Sequence, residues 1–267
     1  MKYVIDNDLH IHTNLSVCSN DAEQTPKNIL AIAKERGLKT ICITDHYWDD
    51  LVPCNTKYNW WYEKQNFAHI SQALPLPKDQ NVRFLFGCEV DMDSNYQIGI
   101  PHARWKDFDF IIVSTTHFHH MAGDEWENCD ERKLAELWVK RFESIFKADL
   151  PFEKVGIAHL ACSLINMESR EGYLRVLDLI SDEDMQRLFR KAAKLGVGIE
   201  LNYDDISCTE EETSRVFRMF HIAKGCGCKF YLGSDAHERW GFENVDTAFE
   251  KAIEILNLQE KDKFVLR

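Results

Sequence analysis

Two histidines separated by one residue, in Asp8-Leu9-His10-Ile11-His12-Thr13, are the first residues with chemistry to offer. Strict alternation along a β-strand puts Asp8, His10 and His12 on one face and Leu9 and Ile11 on the other, so both imidazoles can grip one metal ion at the strand's end. Alone the motif is weak, since a His-x-His pair on a strand is more often solvated or hydrogen-bonded than metallated. Further metal-competent side chains recur downstream: His46 in TDH, Glu89 in GCEVD, His117 in THFHH, His159 in AHL, and Asp235 with His237 in GSDAH. Imidazole and carboxylate donors without a thiolate cage suit zinc, manganese or iron(II), in a catalytic rather than a structural site.

The elements that must position these residues follow from periodicity. Apolar runs near residues 8–12, 40–46, 83–91, 110–115, 154–158, 198–202 and 229–232 read as seven strands, and each candidate ligand falls at the C-terminal end of one of them. Helices are expected at 26–36, where Thr25-Pro26 starts a stripe of Ile29, Leu30, Ile32 and Ala33 that Gly37 ends, and at 60–74, 130–147, 170–180, 182–195, 210–223 and 244–256. A short extra strand is expected at 97–100 and a helical turn at 102–106. Strands alternating with helices imply parallel pairing through right-handed crossovers, and the length suits closure into a distorted seven-stranded β/α barrel. An open doubly wound sheet is the competing fold. In a barrel the strand ends converge on one mouth, which would gather residues from six strands into one cup.

Composition narrows the function. A net charge of −12 disfavours a sequence-independent grip on nucleic acid, which depends on Lys and Arg. It does not bar a small phosphorylated metabolite, because metal ions reverse the local field. Met1 is followed by a polar strand, no apolar run reaches membrane-spanning length, and nine cysteines show no disulfide framework; a cytoplasmic protein is expected. Cys226 and Cys228 read as turn and strand-entry residues. With no linker or repeat, residues 1–267 read as one domain. The aromatic stretch from Tyr47 to Asn81 is expected mainly to pack on the barrel, with a substrate lid as the alternative. His69, His102 and His221 read as structural, and His119 and His120 as solvated loop residues, one of which could touch substrate.

The ordered set DLHIHT, TDH, GCEVD, a His after the fourth strand, AHL and GSDAH resembles the motifs of the polymerase and histidinol phosphatase (PHP) family. The resemblance spans Asp8 to His237. It implies a distorted seven-stranded β/α barrel with two to three divalent metal ions (Zn, Mn or Fe) and phosphoester hydrolysis. Carried over, it would place His10, His12, Glu89 and Asp235 on one metal. Glu89 would bridge to a second metal held by His117 and His159, and a third would sit on His46 and His237. Family members often complete that third site with a His or an acid shortly after the His-x-His; here the stretch reads SVCSND, so Cys18 or Asp21 would serve. The implied catalyst is a hydroxide shared between metals at Glu89, with His237 beside the reaction centre. Asp8 and Asp45 are expected behind the ligands, orienting imidazoles, with a loop cap as the alternative for Asp45. Arg239, Arg104 and Lys57 are candidates for substrate phosphate.

The leading expectation is a metal-dependent phosphomonoesterase, histidinol phosphate being one possible substrate. An amidohydrolase-type C–N or C–O hydrolase resembles it in the strand-one His-x-His, but normally bridges its metals with a carboxylated lysine, and no lysine ends a suitable strand. A metal-binding regulatory domain without catalysis is the reading from another class. A proofreading nuclease is disfavoured by the acidic balance, and no glycine-rich phosphate cradle points to a kinase or NTPase. The sequence does not specify an oligomeric state.

Overall fold

The computed structural model describes residues 1–56, 59–118 and 129–266. Its strands are β1 (Asn7–Ile11), β2 (Thr40–Ile43), β3 (His46–Tyr47), β4 (Arg83–Val90), β5 (Phe110–Ser114), β6 (Val155–Ala158), β7 (Gly198–Asn202) and β8 (Lys229–Gly233). They pair in the order β1-β2-β4-β5-β6-β7-β8, with β3 on β4, and every ladder is parallel. β2 pairs with the first half of β4 and β3 with the second, so the two form one stave interrupted at Thr44-Asp45. The result is the expected seven-stave parallel barrel.

Closure between β1 and β8 uses side chains where a ladder would run. Asn7 Oδ1 accepts the Leu232 amide at 3.1 Å and Asp8 Oδ1 the Ser234 amide at 2.9 Å. Towards the mouth the backbone takes over, with Asp235 N donating to His10 O at 2.8 Å and His12 N to Ala236 O at 3.0 Å.

Two apolar layers result from period-two alternation. Leu9, Cys42, Leu85, Phe110, Ile112, Ala158 and Tyr231 fill the barrel, and Phe264 and Leu266 of the C-terminal tail join them from below. Ile11, Ile41, Ile43, Ile111, Val113, Ile157, Ile199 and Leu201 face the helices. Gly156 admits the large interior rings, because a Cβ there would meet Phe110 Cζ at 2.5 Å and the Tyr231 hydroxyl at 2.6 Å.

β1 breaks the alternation expected of it. Its register shifts between Asp8 and Ile11. Leu9 lies in the inner cluster and Ile11 in the outer one, although the two are two residues apart. The bulge turns His10 inward while leaving Asp8 elsewhere, the re-aiming that bulges perform beside sites.

Side chains of Thr25, Asp130, Ser169 and Ser181 cap the helices Pro26–Glu35, Glu131–Ile145, Arg170–Leu179 and Asp182–Leu195. Two helical expectations are corrected. The 60–74 stretch divides into Asn59–Tyr62 and Phe67–Ile70, because Asn66 caps the second piece by accepting His69 N at 3.1 Å. Buried Gln65 meanwhile spends its side chain on Val17 N at 3.1 Å and Leu15 O at 3.2 Å. The 210–223 stretch becomes Thr213–Val216 and Arg218–Gly225. The extra strand at 97–100 is a single antiparallel bridge, Met92 to Ile98. Among the described residues no helix is long and apolar enough to cross a membrane.

Candidate metal centre at the barrel mouth

His10 and His12 leave β1 with their Nε2 atoms 3.1 Å apart. Asp235 Oδ1 lies 3.2 and 3.1 Å from them, and Glu89 Oε2 lies 3.5 and 3.3 Å away. His46 Nδ1 reaches the same Glu89 oxygen at 3.2 Å. The other Glu89 oxygen, Oε1, faces His159 Nε2 at 3.3 Å and His117 Nε2 at 4.0 Å. Asp235 is divided in the same way, its Oδ2 lying 3.4 Å from His159 Nε2. The structure therefore brings together every metal-ligand candidate placed at a strand end, from β1 through β8.

These spacings fit divalent ions. Donors bonded to one ion at about 2.0–2.1 Å stand about 2.9 Å apart at octahedral edges and about 3.3 Å at tetrahedral ones. His46 Nδ1, Glu89 Oε2 and Asp235 Oδ1 are buried without a hydrogen-bond partner, an expensive condition for polar atoms unless a cation lies among them. His159 and Asp235 also hold positive φ angles of 57° and 54°, backbone strain of the kind that collects at functional sites.

The imidazoles are held from behind. His10 Nδ1 meets Glu200 Oε1 at 2.7 Å, His12 Nδ1 meets Ser16 Oγ at 2.9 Å, His117 Nδ1 meets Asp91 Oδ1 at 2.6 Å, and Asp205 Oδ1 stands 3.8 Å from His159 Nδ1. The first three contacts engage Nδ1 and direct Nε2 into the cup, the arrangement that fixes a ligating tautomer. Arg141, fully buried, donates to Thr115 O at 2.7 Å and Met92 O at 3.0 Å and so braces the turn that carries His117.

Sequence reasoning missed Glu200, Ser16 and Asp205. Glu200 carried a signal: an acid at the centre of the apolar run GIELN, on the inward phase. Gly233 was also missed. A Cβ there would meet Glu200 Oε1 at 2.1 Å and His10 Cβ at 2.8 Å, so the glycine makes room for the Glu200–His10 pair.

Several further candidates take partners other than the cup. Asp8 touches no imidazole among the described residues: the β1 bulge aims it at Arg36 Nη1, 3.0 Å away. Asp45 accepts from Thr13 N at 2.6 Å and Thr13 Oγ1 at 2.8 Å, pinning the chain after His12, which is the cap alternative. Asp21 pairs with Arg239, Oδ2 to Nε at 2.8 Å. Arg104 pairs with Asp49 at 2.9 Å over the Phe67 ring and does not line the cavity described below. Lys57, His119 and His120 lie outside the described residues.

A cavity of about 460 Å³ opens above the cup, lined by Cys18, His46, Trp61, Glu89, His117, His159, Cys162, Ser163, Leu164, Asp204, Ser207, Asp235 and His237. Trp61 stands with its ring 4.9 Å from that of His46, whereas Tyr47, Trp48 and Tyr62 are buried; most of the aromatic stretch packs on the barrel. Cys18, His12, His46 and His237 form a further donor group, within 4.8 Å of one another.

Burial opposes charge throughout the cup, and the neighbours decide the outcome. The nearby carboxylates of Asp235 and Glu89 outweigh burial at His12 and lift its pKa to about 9. Asp235, Glu200 and Glu89 likewise hold His10 well above its ordinary value. The surrounding imidazoles keep Glu89 and Asp235 well below the usual carboxylate range. At His46 and His237 burial wins, lowering them to about 3 and about 4, so both are neutral at pH 7 with lone pairs to offer.

Residues 8–204 match the PHP domain family. A protein called a probable phosphatase in Shewanella frigidimarina is 24% identical over 266 residues, covering 96% of this chain and 85% of its own. A probable phosphatase of Vibrio parahaemolyticus is 26% identical over 275 residues, covering 99% and 90%. Among solved structures, the histidinol phosphate phosphatase of Lactococcus lactis, complexed with zinc, L-histidinol and phosphate, superposes with a TM-score of 0.59 at 14% identity, covering 95% of this chain and 94% of that one. A putative histidinol phosphatase of Listeria monocytogenes gives the same TM-score and identity over 91% and 99%. With the family's domain matched across most of its length and the motif residues gathered at one barrel mouth, the chain belongs to the PHP domain family.

Proposed function

We propose that this chain is a metal-dependent phosphomonoesterase acting on a small phosphorylated metabolite, with histidinol phosphate among the candidates. The observation that carries it is the division of Glu89: Oε2 faces His10, His12 and His46 while Oε1 faces His159. One carboxylate so placed would help to hold two ions, the first with His10, His12 and Asp235, the second with His117 and His159. When bound, the ions would supply Lewis acidity, lowering the pKa of water and taking up charge on the phosphoryl oxygens. The residues of the chain would hold those ions at the floor of a cavity sized for a metabolite rather than a polymer.

Among the described residues no Lys or Arg lines that cavity. An amidohydrolase-type reading would need a lysine to carboxylate, and none of the described residues of that lining is one. All nine cysteines are free, which supports a reducing compartment, and we place the enzyme in the cytoplasm.

The test is phosphate release by the purified protein loaded separately with zinc, manganese or iron(II), from a panel that includes histidinol phosphate and p-nitrophenyl phosphate. Release from a small monoester is expected, and Glu89→Ala is expected to abolish it while lowering metal content at two positions together. No turnover of any phosphoester by fully loaded protein, or faster turnover of a carbonyl substrate, overturns the reading. Wild-type metal content in Glu89→Ala overturns the bridging role.

A further inference from the structure

GCEVD carries two acids, Glu89 and Asp91, which extended backbone puts on one face, and both are excluded from water. Glu89 turns into the cup. Asp91 stands behind it: its Oδ1 accepts from His117 Nδ1 at 2.6 Å, and its Oδ2 accepts from the hydroxyl of Tyr62, a ring only 2% exposed. We infer that Tyr62 is a positioning residue for metal binding, holding Asp91 in the orientation that fixes His117, so that the aromatic segment Asn59–Tyr62 supports the second ion position as well as edging the cavity. The inference rests on the two-ion phosphoesterase reading and deepens it with a residue that no strand end supplies.

The Asp91 carboxylate stands between two imidazoles of the cup. Its Oδ2 lies 3.7 Å from His46 Nδ1 while its Oδ1 serves His117. A carboxylate that pivoted here would trade one histidine for the other; the phenol hydrogen bond to Oδ2 holds the rotamer that serves His117. Burial and the charge on Asp91 keep the Tyr62 hydroxyl protonated well above its ordinary range, so it remains a donor. The ring itself is held between Trp48 and Trp61, each with its centroid 5.4 Å away. Trp61 lies 4.9 Å from the His46 ring and lines the cavity, so adjacent residues of one short helix reach the cup from the substrate side and from behind.

The same aromatic stretch contains a matched pair without the imidazole. Tyr47, also buried, donates its hydroxyl to Asp49 Oδ2 at 2.5 Å. That carboxylate goes on to Arg104 Nε at 2.9 Å and to the Leu51 amide at 2.9 Å. A phenol–carboxylate pair used for packing alone makes Tyr47 and Tyr62 equivalent. One that orients a ligand sets them apart, because only the Tyr62 pair ends on a histidine of the cup.

Tyr62→Phe keeps the ring and removes the hydroxyl. With zinc in competition against a chromogenic chelator, one metal equivalent of the full chain is expected to bind about tenfold more weakly than in wild type, the loss that follows removal of an orienting partner. Tyr47→Phe is expected to bind zinc as wild type does. In metal-stripped protein carrying isotope-labelled histidine, the His117 Nδ1–H resonance, identified by its loss in His117→Asn, should move in Tyr62→Phe and stay in place in Tyr47→Phe. Asp91→Asn should reproduce the zinc loss, and adding Tyr62→Phe to it should weaken zinc by less than about twofold more, because the hydroxyl acts through that carboxylate. Zinc affinity in Tyr62→Phe within about twofold of wild type, an equal loss in Tyr47→Phe, or additive losses in the double variant overturns the inference. The two readings fail separately: phosphoester hydrolysis with zinc affinity indifferent to Tyr62→Phe removes this inference alone, and a Tyr62-dependent affinity in a protein that hydrolyses no phosphoester removes the function alone.

Discussion

Replacing Glu200 with glutamine tests whether the carboxylate behind His10 sets metal affinity. Glu200 Oε1 meets His10 Nδ1 at 2.7 Å with both side chains essentially excluded from water, and Oε2 accepts His159 N at 3.3 Å. Glutamine keeps the shape that Gly233 accommodates but removes the charge. A buried hydrogen bond to a charged group contributes about 1.5–3 kcal/mol and a neutral one about 0.5–1.5 kcal/mol. The difference, about 1–1.5 kcal/mol, corresponds to roughly tenfold in the affinity of the ion that His10 holds, and loss of such orienting partners reaches about a hundredfold. The amide adds a second cost: with its oxygen turned to His10, its NH2 confronts the His159 amide, donor against donor. That mismatch should lower the stability of the metal-stripped protein by about 1–3 kcal/mol. Competition against a chromogenic chelator reads the affinity, and urea unfolding in chelator reads the stability. Asp8→Asn is the contrast, because Asp8 meets Arg36 and the Ser234 amide rather than an imidazole; it should destabilise the fold and leave metal affinity unchanged. Metal affinity within about twofold of wild type in Glu200→Gln would refute the orienting role.

Other consequences are as direct. Gly233→Ala places a Cβ 2.1 Å from Glu200 Oε1; it should displace that carboxylate and reproduce the Glu200→Gln loss of affinity, with an added overpacking cost of about 1–3 kcal/mol in unfolding experiments. Removing the tail from Phe264 onward uncovers the lower barrel layer, since Phe264 and Leu266 are only 6% and 7% exposed; a loss of about 3–5 kcal/mol is expected by chemical denaturation, and an unchanged midpoint would show that the plug is dispensable. In the metal-stripped protein His12 has its pKa raised from 6.5 to about 9. The stabilisation from its bound proton, of the order of 3 kcal/mol, is complete below about pH 6.5 and is lost as pH rises through about 9. Metal binding must expel that proton, so apparent affinity should climb over the same interval; flat profiles of both urea midpoint and affinity would contradict the assignment.

The donors of this site were legible because topology alone places them. A residue that ends a parallel barrel strand reaches the mouth whatever the details of register, so His46, Glu89, His117, His159 and Asp235 could be assembled from seven apolar runs and their last residues. The residues that hold the donors obey a different constraint. Whether a carboxylate meets an imidazole depends on inward or outward phase, and one inserted residue reverses the phase. Asp8 lies two residues from His10 and was read onto its face, yet the bulge in β1 aims it at Arg36; Glu200 lies 190 positions away and is the residue that His10 touches. Arg239 shows the same limit for charge, since its position beside GSDAH was readable but its pairing with Asp21, 218 residues away, was not. The broken helix at 60–74 has the same origin, because Gln65 answers to Leu15 and Val17 rather than to its own helical neighbours. What this sequence discloses is the set of atoms that can reach an ion; how each is oriented, and therefore how tightly the ion is held, is written in long-range pairs that only the closed barrel brings together.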